Sequence, residues 1–532
     1  MTNPAAARPN FLLIMTDQQN VHHLGAYGNR VLRTPNIDAL AAKGLALDRF
    51  HVNSPVCMPN RAALATGRMP SAAGVRMNGV PLPLHARTYA DFLRDAGYRT
   101  ALIGKAHFQT MTDHEPAPMP GQGERPWEWQ ATFEDRSGPA YAQESPRSWQ
   151  DPAFEVRTPY YGFDTARLCL EHADEVGGDF ARWLLKVHGL GPVNRKKPVA
   201  PAAAGTAPQS WRTDLEEVQY PTHYIAEESM AWIDRHLQAQ GAGQPFFLQC
   251  SFPDPHHPFS PPGRYWTAHL PEDVDLPQSF HLPLDTAPPH KKAVHAEWAD
   301  GLRQTRGSRV IAVSEAEARH AIALNYGALQ MVDDQVGRLL AHLQKKNLLD
   351  NTVVIFLSDH GDFMGDHGLL FKGPLHYDSL IRSPLIWCDP QIGLPGLRSP
   401  ALVSAIDLAP TLLERAGIAL PQGLQGRSFL PAVKGHAHEG AESVLVEEEG
   451  HRPVPGLPSP PKVRTLVTRR YRLSVYPGAS WGELYDRTED PLESRNLFDE
   501  PAWAKVKSDL LHALVSQMGQ LADNLPLPRR MA

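Results

Sequence analysis

The sequence lacks the features of several specialised classes of protein. It has no basic surplus, because 52 lysines and arginines stand against 58 aspartates and glutamates, whereas a nucleic-acid-binding protein shows an excess of basic residues. Its four cysteines lie far apart without a pairing pattern, which excludes a disulfide framework. The first residues contain no basic segment, and the apolar run 11–15 is too short to span a membrane or to act as a full signal sequence. We therefore expect no nucleic-acid or membrane partner and a cytoplasmic location.

The length and composition indicate a soluble globular protein with more than one domain. The chain has 532 residues, more than one hydrophobic core normally holds, and is 42% hydrophobic and 21% charged. We predict an α/β domain over residues 1–435 and an α+β subdomain over 436–532. Two stretches of the large domain, about 114–214 and 261–308, show no clear pattern and are predicted to be inserts. The first is rich in Pro, Ala and Gly and either lines a pocket mouth or forms a subunit contact.

Two apolar runs, 11–15 and 352–357, predict strands that are buried on both faces of a parallel sheet. Asp17 and Gln18 follow the first run, and Asp359 and His360 follow the second. Polar groups just beyond the carboxyl ends of such strands lie where open α/β sheets bind ligands, so these side chains are expected to converge. Carboxylate, amide and imidazole groups can together hold Ca²⁺, Mn²⁺ or Mg²⁺. For Asp17, a turn-forming aspartate is the alternative.

The segment 54–68 places a cysteine, a proline and an arginine at a predicted helix start. Pro59 suits the first turn, because its missing N–H would have been unpaired there, and Gly67 can end the helix. A side chain at a helix N-terminus meets unpaired N–H groups and the positive end of the dipole, so Cys57 is well placed to face an anion. Arg61, one turn further on, adds a positively charged fork that matches tetrahedral oxyanions. A buried structural cysteine is the alternative.

The pattern Cys57-x-Pro59-x-Arg61, followed by an apolar turn and Thr66-Gly67-Arg68, resembles the signature of the sulfatase family in the alkaline-phosphatase-like superfamily. Met58 and Asn60 depart from the small residues that are common at their positions. The resemblance spans nearly all of the chain apart from the two inserts. It implies that Cys57 is oxidised to formylglycine by a maturation enzyme and that the hydrated aldehyde is the nucleophile.

The resemblance also implies a metal site. Asp17, Gln18, Asp359 and His360 fall on the four metal-ligand positions of the family, and formylglycine 57 completes the site. Many sulfatases carry Asp and Asn where this chain has Gln18 and His360. Choline sulfatases and phosphonate monoester hydrolases also carry Gln and His at these two positions and often use manganese. The implied ion is therefore either Ca²⁺ or Mn²⁺.

A second signature follows the predicted strand 98–103. Lys105 and His107 resemble the pair that flanks formylglycine in sulfatases, and phosphonate hydrolases do not carry this pair. Asn78, by contrast, resembles an active-site asparagine of the phosphonate-hydrolase branch that contacts nucleophile or substrate. An asparagine before a glycine is otherwise usually a turn residue.

Three further regions contain site candidates. The strand 246–252 ends before His256 and His257, and a histidine held between prolines is pre-oriented to protonate a leaving alkoxide. By resemblance, His256 takes the family position for this role, and His257 is its nearest competitor. Lys372 matches a family lysine that binds sulfate oxygens and assists the leaving group. His376 is a pocket-wall candidate with a structural alternative.

The remaining pattern completes the predicted fold. Apolar residues recur at spacings of three and four over 319–346, which predicts a helix with one buried face. Alternation over 443–447, 464–468 and 471–476 predicts antiparallel strands, and a helix is predicted over 502–521. The resemblance implies an α/β fold in which a large, mostly parallel sheet is sandwiched by helices, with a smaller C-terminal antiparallel sheet plus helix.

The predicted function is hydrolysis of a small-molecule sulfate monoester through a formylglycine-sulfate intermediate. In this hypothesis Arg61, Lys105, Lys372 and the metal neutralise the equatorial oxygens, and His256 protonates the leaving alcohol. His107 then removes a proton from the second hydroxyl and sulfate is expelled, which avoids attack of water on a sulfated serine or cysteine.

Two alternatives stay open. The same apparatus can hydrolyse a phosphonate monoester or phosphodiester, which Gln18, His360 and Asn78 favour and Lys105 and His107 oppose. The other alternative is a non-enzymatic anion-binding relative with an unmodified Cys57. A homo-oligomer is expected in either case.

Overall fold

The structure is a computed structural model and describes residues 8–113, 134–191, 205–240, 243–305, 307, 309–437, 440–450, 453–523, 525 and 530. Its strands are β1 (Asn10–Thr16), β2 (Leu45–His51), β3 (Arg99–Gly104), β4 (Thr165–Leu170), β5 (Gly177–Gly178), β6 (Phe246–Ser251), β7 (Ile311–Ala312), β8 (Thr352–Ser358), β9 (Leu369–Leu370), β10 (Leu385–Cys388), β11 (Leu397–Ser404), β12 (Ser443–Glu449), β13 (Lys462–Thr468), β14 (Tyr471–Val475) and β15 (Gly482–Asp486). Its α-helices are α1 (Pro35–Lys43), α2 (Cys57–Thr66), α3 (Tyr89–Asp95), α4 (Asp179–His188), α5 (Pro221–Gln240), α6 (Pro289–Ala299), α7 (Glu315–Lys345), α8 (Asp378–Ile381), α9 (Leu408–Arg415), α10 (Leu430–Val433) and α11 (Ala504–Gln520).

The large sheet has β1 at its centre. The strand order is β11-β2-β10-β8-β1-β6-β3-β4-β5, and β1 runs parallel to both neighbours, β8 and β6. Every residue of β1 and β8 is buried, as expected for apolar runs between two layers of helices. The sheet is mostly parallel, with β10 and the short β5 antiparallel to their neighbours.

Helices cover both faces of the sheet. Phe11, Leu13 and Met15 face a core that contains residues of α2, α3 and α9, whereas Leu12 and Ile14 face a core that contains residues of α1, α5 and α7. This alternation follows from the period of two along a strand. The predicted sandwich is therefore confirmed.

A separate four-stranded antiparallel sheet, β12-β13-β14-β15, forms the C-terminal part of the chain. Leu510 and Leu514 of α11 pack on Leu466 and Leu473 of this sheet. The smaller sheet and its helix are confirmed as predicted from the change of hydrophobic period.

The stretch 114–214 differs from the predicted insert. Its strand β4 pairs in parallel with β3, so it extends the main sheet, and α4 packs beside it. The sequence of β4 did not reveal this, because Arg167 interrupts a short run of only six residues. The Pro-rich parts of this stretch, including Trp127 and Trp129, lie mostly outside the described residues.

The stretch 261–308 has structure of its own in helix α6. This helix lies against the C-terminal sheet, where His290 meets the Tyr476 hydroxyl at 3.2 Å. None of the described helices combines the length and the apolar composition of a membrane-spanning segment.

Candidate active site

The carboxyl ends of β1 and β8 bring two aspartates together. The register pairs Thr16 with Ser358, and the Asp359 N–H donates to the Thr16 carbonyl at 3.1 Å. The Gln18 N–H in turn donates to Asp359 Oδ1 at 3.0 Å. Asp17, Gln18 and Asp359 are fully buried. The expected convergence of the two strand ends is therefore present.

Cys57 is the first residue of α2 and points at the same edge of the sheet. Its Sγ lies 3.8 Å from Asp17 Oδ1, 3.1 Å from His360 Nε2 and 3.1 Å from Lys372 Nζ. The helix starts there because Val56 is extended, and it ends at Gly67, whose φ of 65° suits a residue without Cβ. Cys57 is only 1% exposed, so a reactive group at this position lies inside the protein.

Asn78 lies beside the start of α2. Its Oδ1 accepts the Met58 N–H at 3.1 Å, which satisfies one of the N–H groups left unpaired in the first helical turn. Asn60 supports the same turn, because its Oδ1 accepts the Asn53 N–H at 2.9 Å. Both asparagines thus stabilise the backbone conformation around Cys57.

Four side chains form a group with the spacing of a metal site. The ligand atoms of Asp17, Cys57, Asp359 and His360 all lie within 4.8 Å of one another. The Nδ1 of His360 lies 2.9 Å from the Gly361 carbonyl, which assigns the proton to Nδ1 and leaves the lone pair of Nε2 on the side of Cys57, where it can act as a metal ligand.

Gln18 supplies a further oxygen. Its Nε2 donates to Asp362 Oδ2 at 2.5 Å and lies 3.2 Å from His257 Nδ1. Its Oε1 is buried and has no hydrogen-bond partner among the described residues. A buried acceptor without a donor is costly, and a cation would satisfy it. Two carboxylates, an amide oxygen and an imidazole are a ligand set that fits a divalent metal ion.

Arg61 is buried and holds both aspartates. Its Nε donates to Asp359 Oδ2 at 2.7 Å, and its Nη2 lies 3.4 Å from Asp17 Oδ2. Its Nη1 donates to the Lys105 carbonyl at 2.8 Å and to Ser251 Oγ at 3.1 Å. The guanidinium therefore links the carboxylates to β3 and β6.

Lys105 follows β3 and is fully buried. Its ammonium donates to Asp17 Oδ2 and lies 2.7 Å from His172 Nε2. His107, two residues on, has a left-handed φ of 55°, and its Nδ1 is buried without a partner in the part of the chain that the structure describes. Both candidates thus lie at the same edge as Cys57.

Glu144 fixes the loop that contains Lys105 and His107. Its carboxylate accepts the N–H groups of His107, Phe108 and Gln109 at 2.7–2.9 Å and the hydroxyl of Tyr160 at 2.6 Å. Burial raises the pKa of Glu144, and these four donors oppose the rise. The sequence prediction missed Glu144, because no motif surrounds it within the predicted insert.

His256 lies beside Lys372, whose ammonium contacts Cys57. The Lys372 Nζ is 3.3 Å from His256 Nε2 and 3.3 Å from His360 Nε2, in addition to its contact with Cys57 Sγ. His257 is turned toward Gln18 and packs on the Phe371 ring at 4.2 Å. Of the two neighbouring histidines, His256 is therefore the one next to the Cys57 and Lys372 pair.

His376 makes its contacts elsewhere. Its Nδ1 lies 2.8 Å from Thr465 Oγ1 and its Nε2 lies 3.0 Å from Glu448 Oε2, both in the C-terminal sheet. It is fully buried. These contacts match the structural alternative for His376, because they anchor the segment before α8 to the C-terminal sheet.

The electrostatics of the site favour anions. Burial would raise the pKa of Asp17, but Lys105, the nearby histidines and Arg61 hold it well below its usual range. Burial and the Asp17 charge would also raise the pKa of the Cys57 thiol, yet Lys105, Lys372 and His360 lower it to about 7. An anionic group at position 57 is thus stabilised by the surrounding cations.

His172 and Asp362 also belong to the site and were missed by the sequence prediction. His172 follows β4, and its ring stacks on that of His256 with centroids 3.6 Å apart. Asp362 accepts from Gln18 and from the Met364 and Phe371 N–H groups. Asp362 lies in the motif Asp359-His360-Gly361-Asp362, which could have revealed it, whereas His172 required recognition of β4.

Comparisons with known proteins agree with this geometry. The sulfatase family model matches residues 9–418, and the model of the C-terminal region of N-sulphoglucosamine sulphohydrolase matches residues 365–520. The chain is similar to the uncharacterized sulfatase YidJ of Escherichia coli, with 31% identity over 520 residues that cover 97% of this chain and 88% of that protein. It is also similar to the choline-sulfatase of Rhizobium meliloti, with 28% identity over 503 residues that cover 93% and 83% of the two chains.

A solved structure shows the same fold. The phosphonate monoester hydrolase of Agrobacterium radiobacter superposes with a TM-score of 0.75 at 26% identity, over 98% of this chain and 97% of that one. Both the match to the family model and the identity to a sulfatase extend over most of the chain. The chain therefore belongs to the sulfatase family, the hydrolases of sulfuric esters, within the alkaline-phosphatase-like superfamily.

Proposed function

We propose that the protein hydrolyses small-molecule sulfate monoesters at residue 57, which acts as formylglycine beside one divalent cation. The single observation that supports this most strongly is the position of Cys57. Its Sγ is 3.1 Å from the Lys372 ammonium and 3.8 Å from the Asp17 carboxylate, at the start of a helix. One atom at this position meets both a cation suited to sulfate oxygens and the carboxylate of a metal site.

Two groups would supply chemistry that the twenty amino acids lack. A divalent cation held by Asp17, Gln18, Asp359 and His360 would supply Lewis acidity that lowers the pKa of a hydroxyl bound to it. The hydrated aldehyde of formylglycine would supply one nucleophilic oxygen and a second hydroxyl, whose deprotonation allows sulfate to leave without attack by water.

The chain supplies the charges around the sulfate group. Lys372 lies where its ammonium can neutralise an oxygen of a sulfate attached at residue 57. Lys105 supplies a second ammonium, which is held by Asp17 and His172. Arg61 acts indirectly in this proposal, because it is engaged with the metal-site carboxylates.

Two histidines move protons in this proposal. His256 donates a proton from Nε2 to the departing alcohol, and His107 removes a proton from the second hydroxyl. Burial, His172, His257 and Lys372 lower the pKa of His256. A bound sulfate ester adds a negative charge beside its Nε2, which raises the pKa toward the value that a general acid needs.

Phosphonate monoester or phosphodiester hydrolysis is the second candidate. It is favoured by the presence of Gln18 and His360 in the metal site and by the position of Asn78. The similarity to a phosphonate monoester hydrolase structure also favours it. The buried Lys105 and the nearby His107 favour sulfate esters, since the resemblance assigns this pair to sulfatases.

Steady-state turnover of matched esters by one preparation tests the proposal. We expect the protein, coexpressed with a formylglycine-generating enzyme and supplied with Mn²⁺ or Ca²⁺, to hydrolyse 4-nitrophenyl sulfate with a higher kcat/KM than 4-nitrophenyl phenylphosphonate. The Cys57→Ala variant is the control and should hydrolyse neither ester. A higher kcat/KM for the phosphonate would select the second candidate, and no turnover of either ester would contradict both.

Three further features belong to the same proposal on sequence grounds. They are maturation of Cys57 by a formylglycine-generating enzyme, a homo-oligomeric assembly and a cytoplasmic location. The buried position of Cys57 supports maturation before folding is complete, because an enzyme cannot reach a side chain that is 1% exposed.

A further inference from the structure

His172 has no role in the hypothesis above, yet it lies among the residues that act. It follows β4, which runs parallel to β3 and therefore ends at the same edge of the sheet. Its neighbours Glu171 and Ala173 have left-handed φ values of 66° and 51°, which non-glycine residues adopt only when their surroundings impose them. The backbone thus fixes the direction of the His172 side chain.

The contacts of His172 join two parts of the site. Its Nε2 lies 2.7 Å from the Lys105 ammonium, which can only donate, so Nε2 is the acceptor and the proton is on Nδ1. Its ring lies on the His256 ring at a centroid distance of 3.6 Å and an interplanar angle of 10°. The side chain is 13% exposed. One imidazole therefore contacts both a cation of the site and the proposed proton donor.

We propose that His172 is a positioning residue for ester hydrolysis, in that it orients the Lys105 ammonium through Nε2 and the His256 ring through stacking. The inference depends on the proposed function, because Lys105 and His256 are assigned there. Without the His172 acceptor, Asp17 is the one side-chain partner left to Lys105 among the described residues, and the ammonium can turn away from the sulfate group. Without the stacked ring, His256 can tilt, and its Nε2 leaves the line to the departing oxygen.

A second metal ion is the competing explanation for this group. The ligand atoms of Asp17, His172 and His256 lie within 4.8 Å of one another. However, the Lys105 ammonium already contacts both Asp17 and His172 and supplies the positive charge there. A cation at the same place would be repelled by Lys105. We therefore expect one metal ion per chain.

Three variants separate the two contacts. His172→Gln keeps an acceptor near the position of Nε2 but removes the flat ring, His172→Phe keeps the ring but removes the acceptor, and His172→Ala removes both. The measurement is kcat/KM for 4-nitrophenyl sulfate, which has a good leaving group, and for phenyl sulfate, which needs the proton from His256.

The expected pattern differs between the variants. In His172→Ala, kcat/KM should fall about 100-fold with phenyl sulfate but only about tenfold with 4-nitrophenyl sulfate. A misaligned general acid slows hydrolysis most when the leaving group is poor. In His172→Phe, kcat/KM should fall by the same factor with both esters. His172→Gln should keep most of its kcat/KM with 4-nitrophenyl sulfate but not with phenyl sulfate. Metal analysis of each variant should give one ion per chain.

A remote histidine in a similar setting is the control. His236 stacks on Trp232 at 10° and lies 3.0 Å from the Gln244 carbonyl, in α5. His236→Gln should leave both kcat/KM values unchanged. Equal losses with both esters in all three His172 variants, or two metal ions per chain, would overturn the inference alone. A wild type that hydrolyses neither sulfate nor phosphonate would overturn the proposed function, and His172 would then have no reaction to serve.

Discussion

At the scale of single residues, Arg61 shows how one buried cation can organise a site. It contacts the carboxylates of Asp17 and Asp359 and is 2% exposed. Two buried carboxylates close to one another are unfavourable unless positive charge lies between them. Arg61 therefore keeps the site assembled even before a metal ion binds.

Removal of Arg61 should destabilise the protein in a metal-dependent way. We expect Arg61→Ala to lower the free energy of unfolding by about 3–5 kcal/mol, because it leaves Asp359 without its guanidinium partner. Added Mn²⁺ should restore part of the loss by replacing the missing charge. The check is the thermal midpoint with and without metal.

A surface ion pair provides the comparison for that experiment. Arg94 contacts Asp164, and its side chain is 43% exposed. Arg94→Ala should change the midpoint little, because exposed pairs contribute little to stability. Equal thermal midpoints of unfolding for Arg61→Ala and Arg94→Ala would contradict the structural role given to Arg61.

The sequence predicted the residues of the site that follow strands or form motifs. Asp17 and Asp359 converge because their strands are parallel neighbours, which apolar runs alone suggested. His172 and Glu144 were not predicted, because Glu144 has no surrounding motif and His172 follows β4, a strand that the sequence did not reveal. The sequence predicted Arg61 as a positive charge one helical turn from Cys57, but its contacts with the Lys105 carbonyl and Ser251 depend on the fold around β3 and β6.

At the scale of elements, the start of α2 decides where residue 57 points. The Asn78 side chain lies outside this helix and accepts the N–H of its second residue, Met58. This is the task of a helix cap, performed by a residue 20 positions further along the chain.

Asn78 variants should distinguish capping from substrate contact. Asn78→Ala should lower the free energy of unfolding by about 1 kcal/mol, whereas Asn78→Asp, which keeps the acceptor, should retain it. Urea unfolding and KM for 4-nitrophenyl sulfate are the measurements. An unchanged stability with a raised KM in Asn78→Ala would instead support contact with substrate, as the sequence resemblance implied.

Helix boundaries were predictable where a periodic pattern is long. The predicted helix 319–346 is α7, which begins at Glu315 because Ser314 and Glu317 form a capping box. Strand β4 was not predictable for the opposite reason. It is short, and only its pairing with β3 identifies it as part of the sheet.

At the scale of the whole molecule, buried histidines outside the site should govern stability in acid. Burial and the charges of Arg487 and Arg382 lower the pKa of His51 to about 3, and burial lowers that of His23 to about 4. The unfolded chain binds protons at these positions below pH 6.5, but the folded chain does not. Their contribution to stability is therefore lost as the pH falls from 6.5 toward the folded pKa values.

A single substitution should make this pH dependence smaller. Between pH 6 and pH 4, His51 should contribute a decrease of about 1.4 kcal/mol per pH unit to the free energy of unfolding. His51→Asn keeps a donor for the Arg49 carbonyl and should show a correspondingly shallower decrease in urea unfolding.

An exposed histidine serves as the control for that comparison. The side chain of His281 is 73% exposed, so solvent already reaches its ring in the folded state. His281→Asn should leave the pH dependence unchanged. The same slope in the wild type and in His51→Asn would contradict the assignment of His51 as a buried neutral group.

In the proposed reaction a converted Cys57, surrounded by Lys372, Lys105 and a metal site, performs the hydrolysis. The most direct test is to plot the turnover rate of 4-nitrophenyl sulfate against the fraction of chains whose residue 57 peptide has the mass of an aldehyde, over preparations with increasing amounts of the maturation enzyme. We expect a straight line through the origin at saturating metal. Turnover that stays constant while the aldehyde fraction rises would contradict it.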